Sequence, residues 1–170
     1  MREAGSERPE FHFRAIGIIH SPFQEPAQTP IQPVYAGDAR GRVELFPEYA
    51  EGLIDLEGFS HVYLLYVFDR VSQMKLRVRP FLQDIEHGVF ATRAPTRPNP
   101  IGMSIVRLLG REGSTLHVTE LDILDGTPLL DIKPFSQRFD WREGTRAGWM
   151  EQVDEATARQ RGRRAGREPG

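Results

Sequence analysis

Arg93, Arg97 and Asn99 stand in a run whose spacing suits ligand binding: Phe90-Ala-Thr-Arg-Ala-Pro-Thr-Arg-Pro-Asn-Pro-Ile-Gly-Met103. Proline holds φ near −65° and lacks an N–H, so Arg97-Pro98-Asn99-Pro100 is stiff and is excluded from a helix interior or a central strand. A rigid turn that carries two guanidinium groups and an amide can hold an anion or a nucleotide. A surface loop with exposed arginines is the alternative.

A second polar cluster lies downstream, Leu121-Asp-Ile-Leu-Asp-Gly-Thr-Pro-Leu-Leu-Asp-Ile-Lys-Pro-Phe135. Asp125-Gly126 is a turn signal between apolar runs and predicts a hairpin. Asp122, Asp125 and Asp131 fall within ten residues of otherwise apolar sequence. Buried carboxylates need partners, because an unpaired buried charge is costly. Arg93 and Arg97 are available, and so is a cationic ligand. The two segments together would make a site of both charge signs.

Other chemistries lack their residues. Cysteine is absent, which removes disulfides, thiolate metal sites and a cysteine nucleophile. Histidines 12, 20, 61, 87 and 117 are scattered, none with another at i+3 or i+4, so no metal is expected. Neither G-x-G-x-x-G, G-x-x-x-x-G-K-[ST] nor G-x-S-x-G occurs.

The 170 residues suit one domain with a real core. No apolar run approaches a membrane span and no secretory segment opens the chain, so the expectation is a cytoplasmic protein without membrane contact. Net charge is −2, but residues 156–170 hold five arginines and one glutamate. Lys75, Arg77, Arg79, Arg93 and Arg97 form a second basic stretch. Phosphates are attracted to such patches.

These groups must be positioned by short strands. Alternation predicts strands over 11–20, 41–46 and 75–78, and from Met103 to Leu109, Leu116 to Ile123 and Leu129 to Ile132. Val62 to Phe68 is continuously apolar and predicts a central strand. Residues 21–40 carry four prolines and form a long loop. Pro47 to Leu53 suits a helical turn, and 145–160 a helix with Trp149, Met150 and Val153 on one side. The class is all-β: a single antiparallel β-barrel over 11–140, followed by a C-terminal helix and a fraying basic tail over 141–170.

Ala91-Thr-Arg-x-Pro-x-Arg-Pro-Asn-Pro-Ile-Gly102 followed by Leu121-Asp-x-x-Asp-Gly-Thr-Pro-x-x-Asp-Ile-Lys-Pro134 resembles the TsaA-like, or TrmO-type, tRNA methyltransferase family. Gly17-Ile-Ile-His-Ser-Pro-Phe23 and Gly58-Phe-Ser-His61 match its pattern in the same order. The resemblance implies a small β-barrel, a homodimer and S-adenosylmethionine as cofactor. It also implies methylation of N6 of N6-threonylcarbamoyladenosine at position 37 of tRNA. The family's cofactor contacts carry over to Pro30, Ile31 and Gln32, to Asp69 and Arg70, to Arg93 and Met103, and to Asp122, Gly126, Thr127 and Pro128. Ile31 and Asp69-Arg70 differ from bacterial members, which place an arginine and His-Gln there. Candidate catalytic residues are Asp125, Arg97 and Asn99: a carboxylate, Asp125 or Asp122, takes the N6 proton, and Arg97 grips the threonyl carboxylate. Lys75, Arg77, Arg79 and the arginine tail would meet tRNA phosphates. Two alternatives stay open. One is methyl transfer to a different small-molecule or RNA acceptor, since longer members carry a C-terminal extension. The other is a non-catalytic RNA-binding barrel.

Overall fold

The structure is a computed structural model that describes residues 8–164. Its strands follow the period of two that apolar residues set along the chain. β1 (Gly17–His20) buries Ile19, and β2 (Gly41–Leu45) buries Val43 and Leu45. β3 (His61–Val67) turns Val62, Leu64 and Tyr66 inward and leaves the residues between them half-buried. β4 (Arg77–Val78) and β5 (His87–Gly88) make a separate two-stranded ribbon. β6 (Ile101–Glu112), β7 (Thr115–Thr119) and β8 (Thr127–Pro134) complete the set.

Six of these strands close an antiparallel barrel in the order β1-β2-β7-β6-β3-β8. The fold class read from the sequence is therefore the one observed. The interior is filled by Ile19, Val43, Val62, Leu64, Val106, Leu116, Val118, Leu121 and Leu129, all fully buried. Side chains of this size contribute about 1.5–3 kcal/mol each on burial, and a small barrel closed this way has no free edge.

Three local expectations change. β1 begins at Gly17 rather than Phe11, because β2 ends at Leu45 and, after one more bond from Phe46 N–H to the Ile16 carbonyl, Pro47 turns the partner chain into a 3-10 segment. Phe11 and Phe13 are consequently exposed. The Asp125-Gly126 turn does not close a hairpin. β7 and β8 are not neighbours in the barrel, so residues 120–126 form a crossing connection. Asp125 N–H and Gly126 N–H donate to the carbonyls of Phe23 (2.7 Å) and Ile19 (2.9 Å), which ties the turn to the end of β1 instead.

The C-terminal helix is also broken. α1 (Gln137–Asp140) is one turn, Gly148–Gln152 is a 3-10 turn, and α2 spans Glu155–Gly162. Asp154 interrupts the expected 145–160 helix by acting as an N-cap, its Oδ1 accepting from Thr157 N–H at 2.9 Å. α2 is docked, and the end of the basic tail expected to fray, residues 165–170, lies outside the described residues. Gly162 carbonyl accepts from Ile31 N–H at 2.9 Å, and Arg161 pairs with Asp84 at 3.2 Å. The tail's Arg159 is taken by Glu155 at 2.8 Å. Arg167 lies outside the described residues.

Gly162 permits this docking. A Cβ there would sit inside van der Waals contact with three ring carbons of Tyr35. Gly162→Ala is expected to cost about 1–2 kcal/mol through this overlap and to loosen α2 from the 30–36 loop. Limited proteolysis should then cut between 150 and 162 several times faster than in the parent chain. An unchanged cleavage rate would show that the helix is not held by this contact.

Candidate functional site

The arginine turn is built by its own side chains. Arg97 Nη1 donates to three carbonyls, those of Thr92 at 2.8 Å and of Val89 and Ala94 at 3.2 Å each. Its guanidinium also lies over the Phe90 ring, 5.8 Å from the centroid. Arg97 therefore staples the loop that Pro95, Pro98 and Pro100 stiffen, and its Nη1 is committed to backbone rather than to a ligand carboxylate. Phe68 N–H donates to the Pro100 carbonyl at 2.8 Å, which delivers Ile101 to the start of β6 beside β3.

A cavity of about 350 Å³ opens where this turn meets the acidic connection. Ten of the positions named from the sequence line it. Pro30, Ile31 and Gln32 come from the long loop, Asp69 and Arg70 from the end of β3, and Arg93 and Arg97 from the turn. Met103 comes from β6, and Asp122 and Thr127 from the acidic segment. Asn99, Asp125, Gly126 and Pro128 are not among its lining residues.

Asp125 faces another way. Its Oδ1 accepts from Ser21 N–H at 3.0 Å and its Oδ2 from Gln24 Nε2 at 3.3 Å, with His20 Nδ1 at 3.5 Å. Partial burial opposes ionisation, but these donors outweigh it and hold the carboxyl below the usual range. Asp125 thus clamps the loop after β1, while its backbone carbonyl accepts from Arg70 Nη2. Gly126 provides the left-handed turn (φ 79°) and Pro128 the pairing with Ile18. Asn99 is exposed, and its carbonyl accepts from Ile101 N–H at 2.7 Å.

Asp122 is the ionisable group on the cavity floor. Ser104 Oγ donates to its Oδ1 at 2.6 Å, and Tyr66 OH lies 3.0 Å from the same Ser104 Oγ. Ser104 has one proton, so while it serves Asp122 the Tyr66 hydroxyl must donate to Ser104. Burial pushes the Asp122 carboxyl up to about 7, against the opposing pull of Ser104, its own backbone N–H, Arg93 and Arg164. Tyr66 is pushed up as well, by burial and by the neighbouring Asp122. Arg93 attracts Asp122 through space without forming an ion pair, and its Nη1 donates to Gln32 Oε1 at 2.7 Å. Asp131 is satisfied elsewhere, by Lys133 at 2.9 Å.

A second cavity, about 830 Å³, adjoins the first and shares Ile31, Gln32, Thr92, Arg93, Pro95 and Arg164 with it. Its walls are aromatic, with Tyr35, Phe81, Phe135 and Trp149. Trp149 is held by Nε1 donating to the Ala91 carbonyl at 2.8 Å and by stacking on His87, centroids 4.7 Å apart. Sequence reading missed Tyr66, Ser104 and Arg164. Tyr66 reads as an ordinary core residue, and only its register opposite Gly102, two residues from Ser104, brings its hydroxyl to the cavity. Arg164 reads as part of a basic tail, and no local pattern marks it. Among the described residues no group of three or more His, Asp or Glu could hold a metal ion, and no helix is long and apolar enough to cross a membrane.

Comparison with known proteins places the chain among relatives. The family model described as the tRNA-methyltransferase O N-terminal domain matches residues 18–141. A protein of Pyrococcus abyssi named a probable S-adenosyl-L-methionine-binding protein is 58% identical over 139 residues, 82% of this chain and 76% of that one. The tRNA (adenine(37)-N6)-methyltransferase of Escherichia coli is 41% identical over 74% of this chain and 57% of that one. The crystal structure of TrmO from Pseudomonas aeruginosa matches with a TM-score of 0.70 at 42% identity, over 83% of this chain and 63% of that chain. The chain thus spans about three-fifths of the length of these last two relatives.

Proposed function

The chain belongs to the tRNA-methyltransferase O N-terminal domain family, and from that premise we propose that it is an S-adenosylmethionine-dependent methyltransferase of tRNA adenine N6. Its acceptor on this reading is N6-threonylcarbamoyladenosine at position 37. S-adenosylmethionine, when bound, supplies an electrophilic methyl on a sulfonium.

The residues of the smaller cavity fit that cofactor. Its volume of about 350 Å³ lies in the range of small-ligand sites. Ile31, Phe68 and Ile101 offer apolar surface to a nucleoside, Asp69 and Asp122 offer negative charge to a cationic centre, and Arg70, Arg93 and Arg164 offer donors to a carboxylate. The larger aromatic cavity beside it suits a flipped-out purine, which would stack on rings such as Tyr35 or Phe81. Most of the acceleration comes from holding acceptor and methyl in line in a space closed to water.

Asp122 carries the reading. The urea-like N6 of the acceptor is a poor nucleophile until its proton is removed, and a carboxyl poised near neutrality is matched to that task. Asp122 accepts the proton, and Ser104 and Tyr66 hold its carboxylate in orientation. This moves the base from Asp125, whose carboxylate is occupied by the loop after β1.

Calorimetric titration with S-adenosylmethionine tests the cofactor site. Arg93→Ala is expected to weaken binding about tenfold, the equivalent of one charged hydrogen bond. Unchanged affinity would remove the arginine turn from the site. The acceptor is tested by incubating the protein and cofactor with tRNA that carries threonylcarbamoyladenosine. Mass spectrometry of the digested nucleosides should show that nucleoside heavier by one methylene. Cofactor binding without this product would favour a second reading, a different acceptor. That reading draws support from the chain spanning only 57% of the E. coli enzyme.

A further inference from the structure

We infer that Arg164 is a carboxylate anchor of this site, supplied by a C-terminal segment that lies beyond the family-matching residues 18–141. The inference rests on the proposed function for the identity of its ligand.

Arg164 follows α2 with a φ of 54°. A non-glycine residue in the left-handed region is strained, and glycine is the common choice just past a helix end. Here the strained residue is an arginine, and its backbone turn sends the side chain into the wall shared by the two cavities. The guanidinium is packed on the Phe81 ring, 4.3 Å from the centroid, and donates through Nη1 to the Pro26 carbonyl. Its Nε is buried and has no hydrogen-bond partner. Among the described residues it forms no ion pair, although Asp122 attracts it through space.

The neighbouring arginines have Nη groups bonded within the chain. Arg97 serves three carbonyls, Arg93 serves Gln32 and Arg70 serves the Asp125 carbonyl. Arg70 and Arg93 are exposed, and of the two less exposed arginines, Arg97 and Arg164, only Arg164 has a buried N–H left over. A buried donor without an acceptor is costly, and a guanidinium held by packing is suited to an oxyanion. Both ligands of the proposed reaction carry such a group: the amino-acid end of the cofactor and the threonyl side chain of the acceptor. Arg164 lines both cavities, so a carboxylate bound in either one could be its partner.

Full-length parent protein, Arg164→Gln, Arg164→Lys and Arg142→Gln are titrated with S-adenosylmethionine and with 5′-methylthioadenosine, which lacks the amino-acid end. Arg142 is exposed, lines neither cavity and controls for loss of one positive charge. If the cofactor's carboxylate is the partner, Arg164→Gln weakens S-adenosylmethionine about tenfold or more and leaves 5′-methylthioadenosine unaffected, with Arg164→Lys between. If the acceptor's carboxylate is the partner, cofactor affinity is retained, while KM for tRNA carrying threonylcarbamoyladenosine rises about tenfold and kcat is kept. Equal weakening of both nucleosides would mean lost packing and overturn the inference, as would no change in affinity or KM. A parent protein that binds no S-adenosylmethionine would instead overturn the proposed function itself.

Discussion

Replacing Asp122 with Asn is expected to abolish methyl transfer while making the folded protein harder to unfold at pH 8. The two effects share one cause. The carboxyl titrates at about 7 in the folded chain against an ordinary value of 3.8, so between those values the folded state binds a proton that the unfolded state has released. The contribution of this group to stability is then fully present below pH 4 and is lost as pH rises toward 7. A shift of this size removes at most about 4 kcal/mol at pH 8. Asn cannot ionise, and its carbonyl still accepts from Ser104. The variant should therefore match the parent at pH 4 and exceed it at pH 8 in urea denaturation. Parent activity runs the opposite way and rises through pH 7 as the carboxylate form appears. An Asn variant no more stable than the parent at pH 8 would show that Asp122 is not held against ionisation. One that keeps more than a tenth of the parent rate would show that another group takes the proton.

Gly102→Ala is expected to damage fold and site together. The Tyr66 ring lies directly on Gly102, and a Cβ there would overlap three of its ring carbons. Tyr66 is buried among packed core residues, so moving aside would carry it toward the smaller cavity that it lines. Overpacking of this kind costs about 1–3 kcal/mol. A displaced Tyr66 also leaves Ser104 without its donor, which disturbs the orientation of Asp122. The expected result is a melting temperature lower by several degrees together with a methyl-transfer rate reduced more than tenfold at saturating cofactor. Parent-like melting and rate would mean that the ring shifts freely and that the Tyr66–Ser104 contact has no part in the chemistry.

Most strand positions, the all-β class and the two polar segments that meet at the smaller cavity were legible in residue order. Each depends on neighbours along the chain. The unbroken β-prone apolar run Val62 to Phe68 reads as a strand, and Arg97-Pro98-Asn99-Pro100 can adopt only a stiff turn. The resemblance carried by 91–102 and 121–134 pointed to the same two segments. Less visible was which carboxylate of the second segment would face inward. Asp122 and Asp125 are alike in the sequence. Which one meets solvent, loop or cavity depends on 120–126 crossing the barrel to join the end of β1, a contact between residues about a hundred positions apart.

The arginines divide in the same way. Arg97 and Arg93 stand in one motif, yet one staples backbone and the other lines both cavities, according to the carbonyls within reach. Arg164 had no motif at all. Its place at the site follows from α2 docking on the 30–36 loop, which in turn depends on Gly162 fitting beneath Tyr35. Local order sets which backbone shapes each segment can take. Desolvation and the pairing of donors with acceptors arise only when distant segments are brought into contact, so the chemistry of each charged group was decided by packing.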